Sequence, residues 1–185
     1  ISATDSGNKT FYAKWTPITY TVTLNANNVE EGETAATVEV TATYGDTLTT
    51  TNTFEKAGYK IKGWAKTADA AEVLDDAALK TLNTTASDSV TLYAIWEPIT
   101  YTVKFDLNGG EGTAPTAREN VKYGEAFTSE AVDSFTKTGF EAKGWALTNT
   151  ATAPLTDDEL KTLSQKDGDE VTLYIVWVAN TTTTD

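Results

Sequence analysis

The sequence predicts an α+β chain built from two tandem copies of one small unit, and three repeated motifs carry that prediction. Pro17-Ile18-Thr19-Tyr20-Thr21-Val22 returns as Pro98-Ile99-Thr100-Tyr101-Thr102-Val103. Lys62-Gly63-Trp64-Ala65 returns as Lys143-Gly144-Trp145-Ala146, and Val90-Thr91-Leu92-Tyr93-Ala94-Ile95-Trp96 returns as Val171-Thr172-Leu173-Tyr174-Ile175-Val176-Trp177, all at an offset of 81 positions. A fixed offset held across separated motifs is the signature of tandem units. Repeat 1 is expected over residues 17–97 and repeat 2 over 98–178.

Within a unit, Ile18, Tyr20, Val22 and Leu24 alternate with threonines, as do Ile99, Tyr101, Val103 and Phe105 with polar residues. Period two with β-branched residues means a strand with one buried face. A second strand is expected from Thr37 to Tyr44 and from Arg118 to Tyr123, each ending in a Tyr-Gly-acid turn. Asn108-Gly109-Gly110 in one copy and Asn25-Ala26-Asn27-Asn28 in the other supply the intervening turn. In the third strand, strict alternation would set Trp64 opposite Tyr59 and Ile61, among lysines. A bulge at the glycine that turns the indole inward resolves this.

A helix should follow. Thr156-Asp157-Asp158-Glu159 has capping-box spacing with acids in the first turn, and Leu160 and Leu163 form an apolar stripe; Asp75-Asp76 to Leu82 occupies the same place in the first copy. The last strand, Val90 to Trp96, sets Leu92, Ala94 and Trp96 on one face and Tyr93 on the other. Strand, strand, strand, helix, strand gives one helix over a small mixed sheet. Glu97-Pro98 is too short a connection to flex freely, so consecutive units are expected to stack as a semi-rigid rod, each with its neighbours in the same chain as first partner.

Residues 1–16 read as the C-terminal strand of a preceding, incomplete repeat, because Phe11-Tyr12-Ala13-Lys14-Trp15 aligns with Leu92 to Trp96 at the same offset. A start at Ile1 without a leader fits a piece of a longer chain. After Trp177 the pattern breaks, and residues 179–185 read as a disordered, Thr-rich tail. An unpaired aromatic strand around Phe11 to Trp15 could also join two molecules of this fragment as a dimer.

The order Ile-Thr-Tyr-Thr-Val, Leu107-Asn108-Gly109-Gly110, Tyr44-Gly45-Asp46, Gly58-Tyr59 with Gly63-Trp64, and Leu92-Tyr93-Ala94-Ile95-Trp96 resembles the Listeria-Bacteroides repeat family, the B-repeats of internalin-like surface proteins. The resemblance covers nearly all of residues 9–177. It implies a β-grasp-like fold and a place in large cell-wall-attached or secreted bacterial proteins, where such repeats serve as spacers. Two features depart from the family pattern: the first copy lacks the Asn-Gly-Gly turn, and the helix segment is long and well capped.

Composition narrows the function. The 185 residues carry a formal charge of −13, which disfavours nucleic acid and anionic membrane surfaces. No apolar run is long enough for membrane insertion. Absence of Cys removes disulfides and thiol chemistry, and absence of His removes the commonest general base, the Ser-His-Asp triad and most zinc sites. Asp75/Asp76 and Asp157/Asp158 sit where helix N-termini favour anions and point in different directions, so they read as caps. Asp106, Asn108 and Glu111, or Asp167, Asp169 and Glu170, could offer oxygens to calcium, but neither group has an EF-hand pattern. No catalytic residue, metal or cofactor is therefore expected.

Lys60 and Lys62 read as a solvated strand edge that discourages aggregation. Tyr20, Trp64, Trp96, Tyr101, Trp145 and Trp177 are the expected core signature. Tyr12, Tyr93 and Tyr174 share one position in three copies; they are either covered by the helix or a neighbouring unit, or offer stacking surfaces for a host glycan or protein. The expectation is a non-catalytic stalk of an extracellular or cell-wall-attached bacterial protein, with an adhesive module as the alternative.

Overall fold

The computed structural model describes residues 7–8, 10–28, 34–50, 54–128 and 130–180. Repeat 1 contains β1 (Thr19–Asn25), β2 (Thr37–Thr43), β3 (Tyr59–Ala65), α1 (Asp76–Lys80) and β4 (Ser89–Pro98). Repeat 2 contains β5 (Thr100–Asp106), β6 (Arg118–Lys122), β7 (Phe140–Ala146), α2 (Asp157–Leu160) and β8 (Glu170–Ala179). Each forms a four-stranded mixed sheet, in the order β2-β1-β4-β3 and β6-β5-β8-β7. The first and last strands of a unit pair in parallel at the centre, and the middle two flank them antiparallel.

Alternation dictates the core. Tyr20, Val22 and Leu24 of β1 meet Leu92 and Ala94 of β4 on one face, with Phe54, Trp64, Leu82 and the helix residue Leu79 packed over them. Tyr101, Val103, Phe105, Leu173, Ile175, Trp145, Leu160 and Leu163 repeat the arrangement. Each fully buried aliphatic side chain contributes roughly 1.5–3 kcal/mol, which a unit of this size needs. The register of β3 against β4 shifts between Ile61 and Gly63, and that of β7 against β8 between Ala142 and Gly144. This bulge carries Trp64 and Trp145 into their cores. A Cβ on Gly63 would lie 2.8 Å from Val73, and one on Gly144 2.7 Å from Pro154, so the bulge glycine also admits the chain that returns after the strand.

The helices are shorter than the sequence suggests, at five and four residues. Asp75 caps α1 by accepting the Ala78 N–H, and Thr156 and Glu159 form a full capping box on α2. Leu82 and Leu163 lie beyond the helical turns yet are buried, so the apolar stripe is satisfied by the turn after the helix. Trp96 and Trp177 of the expected core signature are half-buried and packed against the cores, each indole donating to a carbonyl of the loop after the first strand, Ala26 and Leu107 respectively, both at 2.8 Å. Phe11 to Trp15 is not a strand, because no chain segment among the described residues offers it a ladder; Phe11 and Trp15 are 77% and 89% exposed. The last strand continues through Ala179, and residues 181–185 of the expected tail lie outside the described residues.

Candidate functional site at the junction between repeats

Only Ile99 separates β4 from β5, so the two sheets are joined through a single residue. Ile99 is 3% exposed, and its backbone is bonded on both sides: the N–H donates to the Gly58 carbonyl of repeat 1 at 3.0 Å, and the carbonyl accepts from the Tyr123 N–H of repeat 2 at 3.1 Å. The linker is thus clamped between an outgoing edge of one unit and an incoming turn of the next.

Side chains complete the clamp. Gly58 adopts φ +74°, and the Tyr123 ring lies over its Cα so closely that a Cβ would fall 2.1 Å from the ring. Tyr59 meets the same ring edge-on, with centroids 6.1 Å apart. The Lys60 ammonium reaches Asp167 at 2.9 Å and Glu97 at 3.7 Å, while the other Asp167 oxygen accepts the Thr100 N–H at 3.1 Å. The Lys60 hydrogen bond, followed by that from Thr100, holds the Asp167 carboxyl below its ordinary range; Asp167 in turn raises Lys60. Lys60 is therefore a junction residue, where the sequence suggests a solvated edge. Its partner lies 107 residues away and neither residue is repeated, since Glu141 and Ala86 stand at the corresponding positions.

A second device closes the turn after the first strand of each unit. Asn27 and Asn108, at φ 47° and 51°, donate from Nδ2 to the carbonyls of Ala94 and Ile175 on the last strand, and to Ala68 and Asn149 beyond the third. The preceding Asn25 and Asp106 side chains accept the Asn27 and Asn108 N–H groups, closing the same turn. The first copy thus lacks the two glycines of the turn but keeps its working asparagine, a match visible at the 81-residue offset.

The other candidates fall in separate places. Tyr93 and Tyr174 are half-buried on the sheet face opposite Leu92 and Leu173, away from the helix, and Tyr12 is exposed in the N-terminal segment. Four of the five carboxylates weighed for calcium are engaged: Asp106 closes its turn, Asp169 accepts from Ser164 at 2.7 Å, Glu170 pairs with Lys104 at 2.8 Å and Asp167 serves the junction. Among the described residues, no three acidic side chains gather to hold a metal ion. Tyr20 and Tyr101 are buried; the Tyr20 hydroxyl has no hydrogen-bond partner among the described residues, while burial pushes the Tyr101 phenol up against the opposing pull of a backbone contact from Leu163.

A clamped linker between two copies of one β-grasp-like unit defines a tandem repeat module. The Listeria-Bacteroides repeat domain matches residues 20–95 and 101–174, and the chain belongs to that family. It is 32% identical over 173 residues to a protein of Evansella cellulosilytica named "Putative membrane protein", covering 94% of this chain and 23% of the relative. It is 33% identical over 171 residues to a "Putative Gly-rich membrane protein" of the same organism, covering 92% of this chain and 18% of the relative. The chain therefore spans under a quarter of the length of these relatives. No helix among the described residues is long and apolar enough to cross a membrane.

Proposed function

We propose that the chain is a non-catalytic spacer in a bacterial cell-surface or secreted protein, holding other parts of its parent chain at a fixed separation. The junction carries this reading. A single-residue linker bonded on both sides, an aromatic ring seated on glycine and an ion pair across the boundary all restrict rotation between the units. The lack of His and Cys and the engagement of the carboxylates in caps, turns and ion pairs support a role without catalysis. The names of the relatives are compatible with a place at the cell envelope.

The test places spin labels at Glu39→Cys and Glu119→Cys, one per unit, in a chain with no native Cys to interfere. A narrow distance distribution that broadens in Gly58→Ala is expected. A broad distribution in the parent chain would sink the spacer reading. A second reading, contact with a host glycan or protein, is supported by Tyr93 and Tyr174 recurring half-exposed at one register of the two outer faces. Binding across a glycan and matrix-protein panel that disappears in a folded Tyr93→Ala, Tyr174→Ala chain would favour it.

A further inference from the structure

The N-terminal face of repeat 1 is built like the incoming face of repeat 2 but has nothing against it among the described residues. Tyr44 corresponds to Tyr123: each follows the second strand, and its N–H donates to the isoleucine before the first strand, Ile18 at 2.8 Å and Ile99 at 3.1 Å. Yet Tyr44 is 41% exposed, and Ile18 is only half-buried where Ile99 is enclosed. The missing element is the counterpart of the Gly58-Tyr59 edge.

The segment just upstream is equally incomplete. Phe11, Ala13 and Trp15 stand at the offset positions of Leu92, Ala94 and Trp96, and of Leu173, Ile175 and Trp177. In both complete units this strand is central, pairing with the first strand on one side and the third on the other, and Leu92, Ala94, Leu173 and Ile175 are fully buried. The match continues backwards in sequence, since Ile1-Ser2 aligns with Leu163-Ser164 and Asp5 with Asp167. These two relatives are several times longer than this chain, with polypeptide enough to complete such a unit.

We infer that Phe11 to Trp15 is the central strand of a further unit in the parent protein, and that this unit seats a glycine-aromatic edge on Tyr44. The inference rests on the junction geometry and holds whether or not the array serves as a spacer. The occupant must supply two flanking strands, a helix-capped apolar face for Phe11 and Ala13, and one loop carbonyl for the Trp15 indole, as Ala26 and Leu107 do for Trp96 and Trp177. Because Ala86 stands where Asp167 does, the upstream edge needs no lysine at the Lys60 position. Gly and Tyr suffice.

The test extends the full chain at its N-terminus in register. Residues 17–81 joined ahead of Ile1 complete one unit of the 81-residue period, and residues 98–162 joined ahead of Ile1 complete another. Hydrogen exchange at the indole N–H and tryptophan emission are read in both extended chains and in the parent. The expected result is at least a hundredfold slowing of exchange at the Trp15 indole and a blue shift in one or both extended chains, with Trp15 exchanging freely in the parent. Free exchange at Trp15 in both extended chains overturns the inference. Protection already present in the parent and rising with its concentration also overturns it, because a second copy would then be the occupant.

Discussion

The outgoing edges of the two repeats share one backbone and differ in what covers it. Gly58 and Gly139 take φ +74° and +81°, and their carbonyls accept the N–H of the residue that follows the last strand, Ile99 and Asn180. Phe54, Lys56, Gly58 and Tyr59 line a groove of 520 Å³ that Gln165 of repeat 2 helps to close. Phe135, Lys137, Gly139 and Phe140 line its counterpart of 540 Å³, where a Cβ on Gly139 would meet no atom within 4 Å. The edge is therefore made within each unit, and the neighbour adds the Tyr123 ring, the Asp167 carboxylate and Gln165. Local geometry and junction can be broken separately.

The largest effects should come from the cores, where the two units also differ. Trp145 packs edge-on against both Phe105 and Phe135 and donates its indole N–H to Glu130 at 2.6 Å, whereas Trp64 meets only Phe54 in this way among the described residues. Truncation of a buried tryptophan costs about 3–5 kcal/mol. Trp145→Ala should fall at the upper end and Trp64→Ala at the lower, measured by urea unfolding. Equal losses would show that the Phe105 ring, where repeat 1 has Leu24, adds nothing to stability.

Gly58→Ala and Gly139→Ala come next. Both introduce a side chain at positive φ, which costs roughly 1–2 kcal/mol. Only Gly58→Ala also drives a methyl group into the Tyr123 ring. Equal losses of unit stability are expected, with the inter-unit distance distribution broadened in Gly58→Ala alone. Broadening of similar size in Gly139→Ala would mean that the turn, and not the seated ring, orders the junction.

Much of this fold is legible in the order of residues alone. The 81-residue offset reveals the repeated unit, the strand alternation picks out the buried face, and an indole that would otherwise sit among lysines requires a bulge at Gly63. Helix ends are harder to read, because Leu82 and Leu163 complete the apolar stripe from a non-helical turn, and sequence pattern does not distinguish the two. The Asn27 clip stays hidden when Asn-Gly-Gly is taken as a glycine motif, since the chemistry resides in the asparagine amide. Least legible is the Lys60 pair with Asp167, since periodicity reveals only what recurs and this contact occurs once.

Smaller effects are expected at the buried phenols. The Tyr20 hydroxyl has lost water without gaining a hydrogen bond among the described residues, an arrangement that costs about 1–3 kcal/mol for an unsatisfied polar group, whereas the Tyr101 hydroxyl meets the Leu163 backbone. Removing the oxygen relieves that cost at Tyr20 but leaves a small void, so Tyr20→Phe should be neutral to stabilising by about 1 kcal/mol, and Tyr101→Phe should be less favourable than Tyr20→Phe because it also removes the Leu163 contact. A loss above about 1 kcal/mol in Tyr20→Phe would point to a hydrogen bond that its hydroxyl does make.

The subtlest test concerns the ion pair, which is exposed and screened by salt. Asp167 is held below the ordinary carboxylate range, so its contribution to the junction is complete above that range and lost as pH falls through the depressed value. Lys60 is raised, so its contribution is complete below the ordinary lysine value and lost as pH rises through the elevated one. Junction order should therefore be flat across neutral pH and decline at both extremes. Asp167→Asn should abolish the acid limb while keeping a side-chain acceptor for the Thr100 N–H, and Lys60→Met should remove the alkaline limb and reduce the acid limb at low salt, since the Thr100 hydrogen bond to Asp167 remains. An acid limb that persists in Asp167→Asn would show that the acid sensitivity does not come from Asp167.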